Sequence, residues 1–232
     1  MNEKKSRKVF KTPFSAEYWQ LALREMTSLR IIILAALVTA MRIAVKSISI
    51  PVGPNLNITA GFIFNAVGSM IYGPVVAILA SAVSDTLGAV LFPHGAYFFP
   101  FIFEEIAGGL IFALFYYRAK LSAARVILGR FAVTVIVNLM ISPCIMYYYY
   151  KLVLGKSYTF LSLPRMIKNV TLFPLQSLLL IVLFNLLTPV TNAMELTFTG
   201  KEKLELSRNN VVLIASLTAV SAAAIAIYYF VF

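Results

Sequence analysis

Three carboxylates, Asp85, Glu104 and Glu105, stand inside stretches that are otherwise almost wholly apolar. Residues 73–117 read GPVVAILASAVSDTLGAVLF, then PHGAYFFP, then FIFEEIAGGLIFALFYY. The pattern is that of two membrane-crossing helices joined by a short aromatic loop. An ionised carboxylate in hydrocarbon costs about 2.5–3.5 kcal/mol on insertion scales unless it is paired or faces water. At a rise of ~1.5 Å per residue, Asp85 lies nearer the loop than the Gly73–Pro74 end, and the two glutamates lie about one turn in from Pro100. All three therefore occupy the same half of the membrane. The loop beside them carries His94, the sole histidine of the chain. Such a grouping is a polar pocket opening to one side.

Catalysis is weakly supported. Adjacent glutamates on a helix project ~100° apart, so Glu104 and Glu105 cannot both address one atom. A helical metalloprotease site needs two histidines with a glutamate, and neither that nor a Walker loop is present. G-x-S-x-G and CxxC are absent as well. No catalytic residue, metal ligand or cofactor is expected. A binding pocket fits better. Its outer half can draw on Arg42, Lys46, Asp85, His94, Tyr97, Glu104, Asn138, Tyr147, Arg165, Lys168 and Asn169. Carboxylates and amides could hydrogen-bond the amino and keto edges of a flat heterocycle, tyrosines could stack on it, and arginine or lysine could hold a carboxylate tail. The plain alternative is that Asp85 and Arg42 form a buried structural pair.

The elements that must position these groups follow from composition. Sixty percent of the 232 residues are hydrophobic, which implies a polytopic helical membrane protein. The apolar runs are too long and continuous for barrel strands, so each must satisfy its own backbone as a helix. The net charge of +11 lies largely in tails and loops bordering the spans, where it sets orientation and is no nucleic-acid footprint. Cys144 is the single cysteine and cannot form an intrachain disulfide. The basic start MNEKKSRKVFK precedes polar residues, not an apolar core, and so is no signal peptide.

In chain order, residues 1–28 read as a cytoplasmic basic tail and an interfacial helix, with Thr12–Pro13 as the helix start. A first span covers about 30–46. Ala36 and Ala40 make a small-xxx-small pair on it, extended by Ala44. The loop 47–56 holds Pro51, Gly53 and Pro54 and should be extended and able to move. Further spans cover about 57–72, 74–92, 100–117, 126–150 and 164–189. Gly73–Pro74 forms a tight cytoplasmic turn, and Pro143 should bend the fifth span. Arg130 should snorkel back to the cytoplasmic boundary. Residues 192–210 read as a cytoplasmic loop, and 211–232 is long enough to span again. With the N-terminus inside, Lys46, Lys151, Lys156, Arg165 and Lys168 fall outside, against the usual bias. Attraction for an anionic solute would explain them.

These residues carry a resemblance. Ala36-Leu-Val-Thr-Ala40, the run GPVVAILASAVSDTLGAVLFPHGAYF, and LPRMIKNVTLFPLQ over 163–176 are similar to the substrate-binding S components of energy-coupling factor (ECF) vitamin transporters, most of all the folate-type members. The resemblance covers about residues 29–191. It implies an all-α six-helix bundle that captures a vitamin outside with high affinity. It also implies partners: a transmembrane coupling protein and two cytoplasmic ATPase subunits in a prokaryotic cell membrane, with no nucleic acid. The family's small-residue motif faces the coupling protein and falls here on Ala36 and Ala40. The loop between the first two spans would gate the pocket. The run 211–232 lies beyond the usual six helices, and the Glu104–Glu105 pair has no clear match in the folate type. Folate or a related pteridine is the first expected ligand, and another vitamin or a nucleobase-like precursor the second. Readings of a different class are a membrane enzyme using Glu104 as base and a structural subunit without ligand.

Overall fold

The computed structural model describes residues 8–46, 49–53, 56–92, 97–160 and 163–197, with helical positions at 208, 211–212, 215–216 and 219. His94, the start of the basic tail, most of the loop expected at 192–210 and most of the run 211–232 lie outside the described residues. The side chain of Lys46 is outside them too, although its backbone closes a helix.

Helix α1, Ala16–Glu25, begins at Ser15 and not at Thr12–Pro13. The Ser15 hydroxyl accepts from the Tyr18 N–H at 3.3 Å, and Glu17 stands in the first turn. Serine caps slightly better than threonine, and an acid there complements the helix dipole. One face of α1 buries Tyr18 and Ala22 against Phe10 and Tyr117. The Tyr18 hydroxyl donates to the Ala113 carbonyl at 3.2 Å. Burial pushes this phenol above its ordinary pKa, so it stays a neutral donor. Glu25 accepts from Tyr117 at 3.1 Å and from Arg118 at 3.0 Å. The chain then turns by 79° into α2, Leu29–Lys46.

After α2 the chain forms a short hairpin, where the sequence suggested only a loose loop. Strands β1, Ser49–Gly53, and β2, Leu56–Thr59, pair antiparallel from Ser49↔Thr59 to Gly53↔Leu56, with a shift in register between Pro51 and Gly53. Asn57, expected to open the second span, is therefore in β2. A proline cannot donate to the ladder, which suits it to a two-stranded edge.

Helix α3, Gly61–Leu91, contains both the second and the third expected spans. It breaks at Gly73, where φ is 76° and ψ 179°. A Cβ there would lie 2.9 Å from the Tyr117 ring, so both backbone and space demand glycine. Helix α4 is Phe101–Tyr116. Ala123–Leu154 forms one continuous rod: α5, Ala123–Ala132, a π-helical stretch Val133–Ile141, α6, Ser142–Tyr149, and a last π-turn. The widened stretch ends just before Pro143, whose ring nitrogen offers no N–H to the ladder. Helix α7 runs Leu163–Ala193 through Pro174 and Pro189.

The core gathers Ala66, Met70 and Tyr72 of α3, Phe112 and Tyr116 of α4, and Leu180 and Phe184 of α7. Gly109 lets α4 close on α3, since a Cβ there would meet the Ser81 hydroxyl at 2.5 Å. The outside is apolar as well: Ile33, Leu37, Val83, Leu87, Phe131 and Leu175 are all exposed, as lipid-facing side chains must be. Among the described residues three helices are long and apolar enough to cross a membrane: Gly61–Leu91, Ala123–Leu154 and Arg165–Ala193. The bent pair Ala16–Glu25 and Leu29–Val45 is a fourth candidate. Helix α4, with 16 residues, reaches ~24 Å, short of a ~30 Å hydrocarbon core.

Candidate ligand-binding site

The polar residues inside the bundle separate into two groups that meet at adjacent glutamates. In the first, Arg42 of α2 is 2% exposed and donates to Glu105 Oε2 at 2.7 Å and to the Ser81 hydroxyl at 3.2 Å. Arg42 is thus committed to Glu105, and not to Asp85 as the plain reading of the sequence had it. The ~100° between neighbouring helical side chains is what sends Glu105 to α2 while Glu104 turns elsewhere.

The second group is built by α4, the rod and α7. Glu104 hydrogen-bonds Ser142, and its charge is felt by Arg165, Glu105 and Asp85. Arg165 donates to the Ser142 hydroxyl at 3.0 Å and to the Asn138 carbonyl at 3.3 Å. The Asn138 amide donates to Asn169 Oδ1 at 2.8 Å, and Asn169 donates back to the Arg165 carbonyl at 2.9 Å. Lys168, one turn from Arg165, senses both Arg165 and Glu104. Both side chains lack a carboxylate at salt-bridge distance among the described residues, so two cations stand beside one acid. The π-helical stretch matters here, because Asn138 sits within it and Ser142 directly after it. Such widening frequently accompanies functional sites.

An aromatic wall borders this group. Arg165 lies 5.9 Å from the centre of the Tyr158 ring, which packs on Tyr150 at 5.0 Å. Tyr149 in turn packs on Phe98 and Phe101. Burial holds the Tyr158 phenol above its ordinary pKa, so it remains a neutral hydrogen-bonding group. Of the tyrosines singled out by sequence, Tyr147 faces Tyr148 and Phe160 with Lys151 over its ring, and Tyr97 is exposed ahead of α4. Neither joins the group around Arg165. Ser142 and Tyr158 do join it, although the sequence did not single them out. Ser142 stands four residues after Asn138, a spacing that could have revealed it. Tyr158 lies in a loop and leaves no periodic signal.

Arg130 departs from expectation more sharply. It does not snorkel to the boundary: it is 6% exposed, donates to Gln176 Oε1 and lies 5.4 Å from the centre of the Phe62 ring.

Residues 26–191 match the sequence profile of the family described as ECF-type riboflavin transporter, S component. The chain belongs to this family. The S component is also 34% identical over 127 residues to a folate transporter FolT of Clostridium novyi, covering 55% of this chain and 72% of that protein. It is 29% identical over 147 residues to a folate transporter FolT of Leuconostoc mesenteroides subsp. mesenteroides, covering 62% and 78%. A crystal structure of FolT bound with folic acid superposes with a TM-score of 0.55 at 30% identity, covering 63% of this chain and 86% of that one. The S component is accordingly an all-α, multi-pass membrane transport protein.

Proposed function

We propose that this S component captures folate, or a pteridine close to it, at the group formed by Glu104, Asn138, Arg165, Lys168 and Asn169, with Asp85 nearby. The observation that carries this reading is the pair of cations, Arg165 and Lys168, beside a carboxylate and two amides. Acid and amides suit the hydrogen-bonding groups of such a ligand, and the cations suit the carboxylates of its glutamate tail. Arg42 serves as scaffold, pinning α2 to α4 through Glu105. The family profile is described by riboflavin, so riboflavin is the second reading. Its ribityl chain is neutral and would leave Arg165 and Lys168 without a counter-charge. The relatives described as folate transporters, and the folic acid held by the similar FolT structure, favour folate.

Energy would come from partners: a transmembrane coupling protein and two cytoplasmic ATPase subunits. Ala36 and Ala40 on α2 are exposed, as is Ala44, which suits close approach of a partner helix. The chain itself would catalyse nothing. We infer a cytoplasmic N-terminus over residues 1–28, with α1 lying in the interface. Its exposed Trp19 and Leu23, with Met26 at the C-cap, recur at helical spacing beside the buried Tyr18 and Ala22. Residues 29–191 would form the binding bundle, crossing six times as α2, the two halves of α3, α4, the rod and α7. A cytoplasmic loop at 192–210 and a further span at 211–232 would follow.

A thermal-shift panel on the purified chain tests the ligand. Folic acid should raise the melting temperature strongly by mass action, with riboflavin, thiamine, pantothenate and queuine precursors far behind. A larger shift with riboflavin would turn the assignment to the second reading.

A further inference from the structure

Arg130 is a buried cation whose charge nothing in the described bundle balances. Its guanidinium donates to the neutral oxygen of Gln176 and faces the Phe62 ring, and its Nε has no hydrogen-bond partner. Every titratable neighbour that it senses is a neutral tyrosine, Tyr116. The acids within the spans lie elsewhere: Glu105 on Arg42, Glu104 on Ser142 beside Arg165, and Asp85 close enough to Glu104 to act on its charge. An unpaired guanidinium at this depth is expensive, and such residues mark ligand or ion paths.

Arg130 is also connected to the candidate site by position. Arg130, Thr134, Asn138 and Ser142 follow one another at four-residue spacing along the rod, with the Thr134 hydroxyl donating to the Arg130 carbonyl at 3.0 Å. Facing them on α7 are Arg165, Asn169 and Gln176. The result is a polar seam between two apolar helices. It has cations at both ends, and the Arg130–Gln176 contact lies ~16 Å along α7 from Arg165.

We propose that Arg130 reads the acceptor edge of the ligand's fused ring, the keto oxygen and the adjacent ring nitrogen, so that the ring enters first and the carboxylate tail stays at Arg165 and Lys168. A guanidinium forks onto such an edge as it does onto the O6 and N7 atoms of guanine. Gln176 holds the guanidinium in position and leaves donors free for the ring. This inference rests on the folate reading and adds the ligand's orientation and the residue that selects its ring.

The test compares folic acid with its 4-amino analogue aminopterin, in which the keto acceptor becomes a donor. The wild-type chain should prefer folic acid at least tenfold in equilibrium titration. Arg130→Gln should lose that preference while keeping the contacts to the tail. Gln176→Glu gives an independent route, since a carboxylate there neutralises Arg130. It should raise the melting temperature of the ligand-free protein and yet weaken folic acid and erase the preference. A merely structural Arg130 would let Gln176→Glu stabilise the protein with the preference intact. Equal wild-type affinity for the two compounds, or a preference that survives both substitutions, overturns the inference while folate binding stands. No binding of folic acid to the wild type overturns the proposed function and this inference with it.

Discussion

Replacing Glu105 with leucine would leave Arg42 buried without its carboxylate. The Arg42 side chain is 2% exposed, that of Glu105 26%, and their charges meet at 2.7 Å. Coulomb attraction at an effective dielectric of about 20 gives about 6 kcal/mol at that separation, most of it offset by the desolvation of both ions. Removing one partner of a buried pair costs about 3–5 kcal/mol, and the partial exposure of Glu105 puts the expected loss at the low end, about 3 kcal/mol. For a chain of this size that is a fall in melting temperature of about 6–12 °C. Taking both charges away with Arg42→Met and Glu105→Leu together should restore most of the loss, because no orphaned charge remains. The assay is thermal unfolding in detergent of the two single variants and the double, read as a double-mutant cycle. If the losses simply add, Arg42 and Glu105 are not a coupled pair and the scaffold role given to Arg42 is wrong.

Ala36→Trp or Ala40→Trp should abolish folate uptake by the assembled transporter while leaving folic acid binding to the isolated chain unchanged; normal uptake would remove α2 from the coupling interface. Gly73→Ala forces a side chain into a positive-φ position 2.9 Å from the Tyr117 ring and should cost at least about 2 kcal/mol in thermal unfolding. An unchanged melting temperature would contradict the description of that break. Tyr18→Phe removes one buried hydrogen bond, that to the Ala113 carbonyl, and should lower the melting temperature by about 2–4 °C, with folic acid binding unaffected.

What could be read from the sequence was what periodicity and charge encode. The apolar runs and the break at Gly73–Pro74 rest on local spacing. Partner choice was not legible in the same way. Whether Arg42 meets Asp85 or Glu105 depends on the rotation of α2 against α3 and α4, and no pattern within one helix records that angle. Arg130 looked like a boundary residue because it stands near the start of its span, yet Gln176 and Phe62 come from elements far away in the chain. The hairpin at 49–59 was hidden because proline and glycine mark irregular backbone without saying whether two short segments pair. Ser15 displaced Thr12–Pro13 as the start of α1 because tertiary contact of Tyr18 with Phe10 and Tyr117 sets where the helix can begin.

The central claim is that the group around Arg165 is the folate site. Titrating folic acid into the wild-type chain and into Arg165→Ala side by side tests it most directly. The wild-type dissociation constant should lie below about 1 μM, equivalent to about 8 kcal/mol. Removing the guanidinium should weaken folic acid at least about tenfold. Equal affinity in the two proteins, or no binding to the wild type, would contradict it.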